Sequence, residues 1–313
     1  MLFQLKISGQ KNKQEHYFFL KLDKFRLILE KVKFIAKNLI YIKKWSQNIE
    51  VFEKKENRKQ NLKNISFNYG TFELKIIDDA HPLILEVKKL RQKSFFKENK
   101  NNILDSDEFD KCCDHLVVID KSVSKNYVVG TYRLLLRPKF VSRQKFYSQS
   151  EFDISKLIKK KSLTLLEAGR SCVHENYRDG RIIKLLWRGL ATYIIKNNVD
   201  LIFGCASFPS SNHKLFKNQL SYLSHFHKTP KSLMTRPLKN LKARFRIVDK
   251  KLINAEEEFR KLPPLIKAYI RVGAFIGPGA TIDKEFNTTD VLIVLESKKI
   301  VKKYSQLSIK NIH

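Results

Sequence analysis

The sequence contains few cysteines and no long apolar run. Its four cysteines in 313 residues include no Cys-x-x-Cys spacing, so the sequence indicates neither a zinc site nor a thioredoxin-like motif. We expect free thiols and no bound metal. No segment offers about 18 uncharged apolar residues, so we expect no membrane-spanning helix. The N-terminus also lacks the apolar core of a secretory signal.

Acidic residues are half as numerous as basic ones, 31 against 62, which gives a net charge of +31. Such an excess attracts polyanions: nucleic acid, anionic lipid or an acidic carrier protein. The lysines are spread along the chain, however, and an A/T-rich genome would also enrich Lys, Asn and Ile. The sequence contains no recognisable nucleic-acid module, so we expect no specific nucleic-acid partner.

The composition along the chain predicts three regions. These are a basic N-terminal extension over residues 1–66, a main domain over 67–300 and a basic tail over 301–313. In the extension, apolar residues recur at helical spacing from Phe25 to Ile42, with basic residues among them. Such a helix suits either an anionic membrane surface or packing against the main domain.

In the main domain, the hydrophobic patterns predict alternating strands and helices. Strands are predicted over residues 71–77, 115–120, 127–136, 162–173, 200–206 and 289–296, and helices over 80–96, 181–197, 211–226 and 262–272. This order favours a mixed α/β sheet with helices on both faces.

The most informative segment is the predicted strand ending at Val173, followed by a basic turn and an amphipathic helix. Glu167 and Arg170 lie three residues apart on this strand, and Arg178 and Arg181 lie in the turn. A strand, turn and helix in this order direct backbone N–H groups and the positive end of the helix dipole at a phosphate. Backbone groups of Cys172 or Val173 would lie at the strand edge, where they could polarise a carbonyl.

The chain resembles the GNAT acyltransferase superfamily, and within it the ornithine-lipid acyltransferases, often labelled hemolysin-like. The matching segments are 107–110 (DEFD), 113–118 (CDHLVV), 129–134 (VGTYRL), 146–148 (FYS), 151–153 (EFD), 167–174 (EAGRSCVH), 185–189 (LLWRG), 203–209 (FGCASFP), 220–223 (LSYL), 262–274 and 286–291 (FNTTDV). They run in order over roughly residues 68–296, whereas the extension lies outside the resemblance.

The resemblance implies a mixed, mostly antiparallel sheet and a specific reaction. Members of this family move a 3-hydroxyacyl group from acyl carrier protein to the α-amino group of ornithine, forming lyso-ornithine lipid. The amine attacks the thioester directly, and no cofactor is permanently bound. The donor is the acyl-phosphopantetheine of the carrier protein.

Acyl-homoserine-lactone synthases share part of the pattern and supply an alternative, with S-adenosylmethionine as the amine. The positions that carry this pattern here are Arg91, Phe95, Asp107, Asp110, Arg133, Glu167 and Arg170. A basic binding module without catalysis is a second alternative. The segment at Phe208-Pro209 and the long C-terminal block favour the lipid enzyme.

The phosphate loop departs from the superfamily pattern Arg/Gln-x-x-Gly-x-Gly/Ala. Residues Arg178, Gly180, Arg181, Ile182 and Ile183 are the expected phosphopantetheine-binding positions, and Arg181 and Ile183 replace the two glycines. A pyrophosphate requires a close backbone approach, which glycine permits. The departure therefore favours the single phosphodiester of acyl carrier protein over coenzyme A.

Glu167 is the candidate general base, and its apolar neighbours are expected to raise its pKa. The alternative is a buried ion pair with Arg170 or Arg133. Tyr222 is the candidate donor of a proton to the leaving thiolate, and core packing is the alternative. Cys172 is expected to pack as a small apolar residue and to form no acyl intermediate.

The remaining site residues have proposed roles in binding the amino acid. Asp107 and Asp110 are candidates for holding ammonium groups, or they are solvated loop acids. Arg133 is a candidate for binding the carboxylate in a bidentate pair, or for neutralising Glu167. The product is an amphiphile and the chain is basic, so we expect a cytoplasmic protein at the inner face of the cell membrane.

Overall fold

A computed structural model describes residues 65–96, 104–141 and 144–300. The helix predicted between Phe25 and Ile42, most of the extension and the tail over 301–313 lie outside the described residues. The domain boundaries therefore stay predictions, although Ile65 and Ser66 already belong to the folded sheet.

The described chain alternates between strands and helices. The strands are β1 (Ser66–Tyr69), β2 (Phe72–Ile77), β3 (Asp114–Asp120), β4 (Val128–Arg137), β5 (Phe152–Asp153), β6 (Leu165–Val173), β7 (Leu201–Phe208), β8 (Arg236–Pro237), β9 (Phe275–Ile276), β10 (Thr281–Asp283) and β11 (Thr288–Glu296). The helices are α1 (Ile84–Phe95), α2 (Ser155–Ile158), α3 (Arg181–Lys196), α4 (Lys217–Phe226), α5 (Ala255–Lys261) and α6 (Pro264–Arg271).

The main sheet has the strand order β1-β2-β3-β4-β6-β7-β11-β10, with β9 also paired to β11. Strands β6 and β7 are parallel, and the other paired strands of the described chain are antiparallel. A parallel pair requires a crossover connection, and α3 provides it between β6 and β7. Strands β5 and β8 form a separate small pair.

Side chains alternate between the two faces of this sheet, and each face has its own apolar core. Helices α3, α4 and α6 pack on one face, where Ile182 and Tyr269 join Leu116 and Leu166 in one cluster. Helix α1 packs on the other face through Val87 and two apolar neighbours. The prediction of a mixed α/β sheet with helices on both faces is confirmed.

Most predicted elements occur within a few residues of their expected bounds. Helix α1 begins later than predicted, at Ile84, because the residue before a proline disfavours helical backbone and Pro82 follows His81. The segment predicted to be helical over 211–226 begins with a 3₁₀ turn, His213–Phe216, before α4. No helix in the described ranges is long and apolar enough to cross a bilayer.

Candidate active site

The parallel strands β6 and β7 separate part-way along their length. They pair only where Leu165, Leu166 and Glu167 oppose Leu201, Ile202 and Phe203. Gly204 follows this paired stretch and lies so close to the carbonyl oxygen of Ala168 that an added Cβ would collide with it. A glycine is therefore required where the two strands begin to diverge.

The other edge of β6 contains a bulge at the same level. Its pairing with β4 shifts register between Thr131 and Arg133, so that Gly169 opposes Arg133 and Cys172 opposes Thr131. Arg170 in the bulge has a left-handed φ of 48°, which is strained for a residue with a side chain. The bulge redirects the side chains after Glu167 towards the space that opens between the strands.

A pocket of about 570 Å³ opens beside this divergence, a volume typical of small-molecule sites. Its apolar lining includes Phe95, Phe96, Phe109, Cys113, Leu135, Ala168, Cys205, Ala206, Pro209, Leu265 and Phe286. Its polar lining includes Ser94, Arg133, Tyr147, Ser148, Glu151, Glu167, Gly169, Arg170, Ser171, Ser207, Asp283, Glu285, Asn287, Thr288 and Asp290. Five carboxyl groups and two guanidinium groups thus line a pocket in a strongly basic chain.

Glu167 lies in the pocket wall with 5% of its surface exposed. Its carboxylate accepts the backbone N–H of Tyr147 at 2.8 Å and that of Ser148 at 2.7 Å. Burial raises its pKa, and these hydrogen bonds partly offset the shift. The alternative ion pairs with Arg170 and Arg133 are not formed among the described residues, because both arginines bind aspartates.

Three arginines and three aspartates form a closed ring of ion pairs next to the pocket. Arg91 binds Asp105 at 2.6 Å and Asp110 at 2.8 Å, Arg133 binds Asp107 at 2.6 Å and Asp110 at 3.0 Å, and Arg170 binds Asp105 at 3.2 Å and Asp107 at 3.3 Å. The ring has no net charge. Burial opposes ionisation of Asp110, but the hydrogen bonds and charges of Arg91 and Arg133 lower its pKa.

The ring changes the interpretation of three residues expected to touch substrate. Arg91 is fully buried, and Asp110 is 1% exposed. Neither they nor Asp107 are among the pocket-lining residues. Their charged atoms take part in the ion pairs of the ring, and the two aspartates bind Arg133 and Arg170. The partner Asp105 was missed, because only the tertiary fold brings it to Arg91 and Arg170.

Arg133, Arg170 and Phe95 do reach the pocket, as expected. The guanidinium of Arg170 lies 4.7 Å from the ring centroid of Tyr147 and 4.6 Å from that of Phe286. It is therefore held between two aromatic faces as well as by its two aspartates. Phe95 contacts Phe286 edge-on. These contacts fix one wall of the pocket.

A second group of carboxyls lies on the pocket wall formed by the ends of β10 and β11. Glu151, Asp283 and Asp290 each offer an oxygen within 4.8 Å of the others. Burial, and secondarily the charge of Asp290, raises the pKa of Glu151 to about 8. Burial also raises the pKa of Asp290 to about 6. Among the described residues, this is the one group of three or more His, Cys, Asp or Glu side chains whose spacing suits a metal ion.

Sequence reasoning assigned no role to these acids. Glu151 and Asp290 occur in two of the segments that carry the family resemblance, but they lie far apart in sequence. Only the pairing of β11 with β10 and β7 brings Asp290 beside Asp283 and Ser207. Tyr147 was missed for the same reason.

Three of the expected catalytic residues lie outside the pocket lining. Tyr222 belongs to α4 on the opposite face of the sheet, and its hydroxyl is 2.8 Å from Nε2 of His227. Cys172 packs among the apolar residues under α1, and burial raises its pKa to about 12. The carbonyl of Val173 accepts the Nε–H of Arg178 at 3.1 Å. The pocket wall on β6 ends before these two residues, at Ser171.

The turn before α3 has the expected form but is partly occupied by its own side chains. Gly180 adopts a left-handed φ of 94°. The carboxylate of Asp179 accepts the backbone N–H of Arg181 at 2.9 Å and also pairs with its guanidinium. Ile182 is fully buried against Gly130, where an added Cβ would lie 2.5 Å from its side chain, and Ile183 is partly buried.

Comparison with known proteins identifies the family of this chain. A family described as acetyltransferase (GNAT) domain matches residues 90–188. The L-ornithine N(alpha)-acyltransferase of Agrobacterium fabrum is 34% identical over 82% of this chain and 92% of its own length. That of Brucella abortus is 36% identical over 75% of this chain and 88% of its own. The solved acyl-homoserine-lactone synthase LasI is 12% identical, with a TM-score of 0.39 over 72% of this chain and 90% of its own. The chain is therefore an acyltransferase and belongs to the L-ornithine N(alpha)-acyltransferase family.

Proposed function

We propose that this enzyme transfers a 3-hydroxyacyl group from acyl carrier protein to the α-amino group of ornithine, forming lyso-ornithine lipid. One observation carries the proposal: in a chain of net charge +31, the pocket at the strand divergence is lined by five carboxyl groups and only two guanidinium groups. Such a lining favours a cationic acceptor. The relatives from Agrobacterium fabrum and Brucella abortus are named for L-ornithine.

The thioester would lie in the gap between β6 and β7, beyond the paired residues. The aromatic and aliphatic lining from Phe95, Phe96, Phe109 and Leu135 supplies an apolar surface for the first part of the acyl chain. The backbone of residues 168–171, next to the bulge, supplies polar groups at the edge of β6 that can stabilise the oxyanion. This stretch replaces Cys172 and Val173 in that role.

The phosphopantetheine would lie at the start of α3, against Arg178, Gly180 and Arg181, with Ile182 and Ile183 below. Side chains at the two glycine positions leave room for one phosphodiester better than for a pyrophosphate. Because Arg181 already pairs with Asp179, Arg178 is the more available charge for the donor. Acyl carrier protein is therefore the proposed donor, and no permanently bound cofactor takes part.

The chemistry is direct attack of the amine on the thioester carbonyl. Glu167 takes a proton from the α-ammonium group, since its carboxylate has acceptor sites left beyond the two N–H groups that hold it. The C–N bond forms, the C–S bond breaks, and the thiolate receives a proton from Tyr147, which lines the pocket where Tyr222 does not. The second proton of the attacking nitrogen then passes to Tyr147, so the tyrosine ends neutral beside the amide and the free thiol. Arg133 and Arg170 face the carboxylate of the amino acid.

The same charge distribution supports a place for the enzyme in the cell. The net charge of +31 suits an acidic carrier protein and an anionic bilayer. We place the enzyme in the cytoplasm, peripherally bound at the inner face of the cell membrane. Its donor and acceptor are water-soluble, whereas its product partitions into the bilayer.

Purified full-length enzyme tests the reaction directly. It should acylate ornithine with 3-hydroxyacyl carrier protein and should not do so efficiently with 3-hydroxyacyl coenzyme A. Saturable turnover on the coenzyme A thioester alone would reject the proposed donor. Acylation of S-adenosylmethionine in place of ornithine would instead assign the enzyme to autoinducer synthesis. Lyso-ornithine lipid should also appear in a thin-layer lipid profile of cells expressing the chain.

Glu167→Gln tests the proposed base, but the variant needs two measurements. Both carboxylate oxygens accept N–H groups, so an amide nitrogen would face a donor and cost about 1–3 kcal/mol of stability. If Glu167 is the base, kcat/KM of the wild type should rise with pH through its raised pKa. In the Glu167→Gln variant, kcat/KM should no longer rise over this pH range. A variant that is less stable but keeps the wild-type pH profile would leave Glu167 a positioning residue.

A further inference from the structure

Glu151, Asp283 and Asp290 form a carboxyl cluster with two buried members and one partly buried member. Glu151 is 5% exposed and Asp290 is 4% exposed. Within the described residues, none of the three forms an ion pair with lysine or arginine. With both carboxyls ionised, Oε1 of Glu151 and Oδ1 of Asp290 have no hydrogen-bond donor there, whereas a protonated Glu151 can donate to Asp290. Both residues line the pocket. Buried carboxyl oxygens are costly unless they are paired.

Two further oxygens of this carboxyl cluster, one on Glu151 and one on Asp283, accept hydrogen bonds from the protein. Thr281 donates its hydroxyl to Oε2 of Glu151 at 3.0 Å. Oδ1 of Asp283 accepts the backbone N–H groups of Glu285 and Phe286 at 2.8 and 3.0 Å. Glu151 and Asp283 are therefore held in place by the protein, and all three side chains line the pocket. That is the arrangement of a preformed site for a donor-only ligand.

We propose that Glu151, Asp283 and Asp290 bind the side-chain ammonium group of a diamino acid acceptor, a subsite that rests on the proposed acylation of ornithine. An ammonium group carries three N–H donors and no acceptor. Three carboxyl oxygens within 4.8 Å of one another match that donor set. The subsite selects acceptors with a second amino group.

The carboxyl cluster lies near Glu167, which supports one site for the α-amine at Glu167 and a second site for the side-chain amine at the cluster. Ser148 donates its N–H to Glu167, and its hydroxyl lies 3.6 Å from Sγ of Cys205. The pKa of Cys205 is raised by burial and then by the charges of Glu151 and Asp290. Cys205 is thus close to the carboxyl cluster, and Ser148 contacts both Cys205 and the proposed base. A short aliphatic side chain is the link that an acceptor needs to join these two sites.

A bound ammonium would also change the protonation of the three carboxyls. Burial and the charge of Asp290 raise the pKa of Glu151 to about 8, and burial and, less strongly, the charge of Asp283 raise that of Asp290 to about 6. A ligand ammonium would supply the missing positive charge and release a proton from the pair. A ligand with an uncharged side chain would leave the carboxyl oxygens unpartnered.

Binding measurements on the full-length protein test the subsite without depending on catalysis. Isothermal titration compares ornithine with 2-aminopentanoate, which has the same α-carbon groups and chain length but no side-chain amine. We expect the wild type to bind ornithine at least tenfold more tightly. Glu151→Gln and Asp290→Asn should each remove most of this preference while changing the affinity for 2-aminopentanoate little. Asp153→Asn, an exposed acid close in sequence, should behave as the wild type.

The outcomes separate this proposal from the proposed function. Retained preference for ornithine in both variants, or equal binding of both amino acids by the wild type, would overturn the subsite. Failure of the wild type to bind ornithine would do the same. If Mg²⁺, Mn²⁺ or Ca²⁺ binds tightly and excludes ornithine, the carboxyl cluster is a metal site and not an ammonium subsite. Ornithine that binds through Glu151 and Asp290 but is not acylated would reject the reaction and keep the subsite.

Unaltered binding of 2-aminopentanoate in the variants shows that their pockets are folded. Because an amide keeps the shape of each buried carboxyl and adds no charge, we expect neither variant to lower Tm. With acyl carrier protein as donor, each variant should raise KM for ornithine at least tenfold with a smaller effect on kcat. A fall in kcat alone would contradict a binding role.

Discussion

Asp110 holds two arginines of the ion-pair ring, and its removal should be costly. Asp110→Asn keeps the shape but leaves Arg91 and Arg133 short of one buried negative charge. Breaking a buried pair in this way costs about 3–5 kcal/mol. We expect the variant to unfold at markedly lower denaturant concentration, measured by circular dichroism. Glu108→Gln removes an exposed neighbouring acid and should have little effect, whereas equal stability of both variants would contradict a structural ring.

Tyr147 and Tyr222 form a matched pair for testing the proton donor to the leaving thiolate. Tyr147→Phe keeps the ring that contacts Arg170 and removes only the hydroxyl. We expect kcat to fall on the order of 10²-fold, the lower range for general acid catalysis. Tyr222→Phe should leave kcat unchanged, because the Tyr222 hydroxyl contacts His227 on the face of the sheet opposite the pocket. Steady-state kinetics with saturating donor measures both, and a larger loss in Tyr222→Phe would reverse the assignment.

At the level of single residues, the sequence predicted which side chains reach the pocket better than it predicted their partners. Glu167, Arg133, Arg170 and Phe95 all line it. Their partners depend on loops that converge from distant parts of the chain. Asp105 and Tyr147 carry no pattern that distinguishes them from other loop residues. Ion-pair partners and unpartnered carboxyl groups are properties of the tertiary fold.

At the level of elements, hydrophobic periodicity predicted the long strands and helices and missed the short ones. Strand β7 is apolar from Leu201 to Ala206 because most of this stretch is buried on both faces, and α3 has one apolar face. Strands β5 and β8 have two residues each, which is too short for any period to be visible. The divergence of β6 from β7 was also beyond the sequence, since it depends on where pairing stops.

The start of α3 offers a test of the donor at the level of an element. Arg178→Ala removes the guanidinium proposed to contact the phosphodiester, a charge-assisted interaction worth about 1.5–3 kcal/mol. We expect KM for acyl carrier protein to rise roughly tenfold or more while KM for ornithine stays the same. Arg188→Ala removes an equal charge from within α3, ten residues after Arg178, and serves as the control. An unchanged KM for the donor in Arg178→Ala would remove this turn from the donor site.

For the molecule as a whole, His115 should make stability fall in mild acid. Its ring is fully buried on β3, where burial and the nearby charges of Arg91 and Arg133 outweigh that of Asp110 and lower its pKa to about 4. The unfolded chain protonates it at about pH 6.5, so stability is lost as pH falls from there towards 4. Between pH 7 and 5 this amounts to roughly 2 kcal/mol.

Urea unfolding at several pH values measures this effect. His115→Phe should flatten the decline between pH 7 and 5, whatever its stability at pH 7. His213→Phe, at a partly exposed position, should keep the wild-type slope. If the slope of His115→Phe matched that of the wild type, other groups would account for the acid sensitivity.

The contrast between the basic chain and its acid-lined pocket predicts that salt acts differently on the two substrates. A net charge of +31 attracts the acidic carrier protein over the whole surface, and salt screens such long-range attraction. The acceptor is held by short contacts to buried carboxyls, which salt screens much less. We expect KM for acyl carrier protein to rise on the order of tenfold between about 0.05 and 0.5 M NaCl. KM for ornithine should change far less, and parallel changes in both would mean that the surface charge has no separate role in docking the carrier.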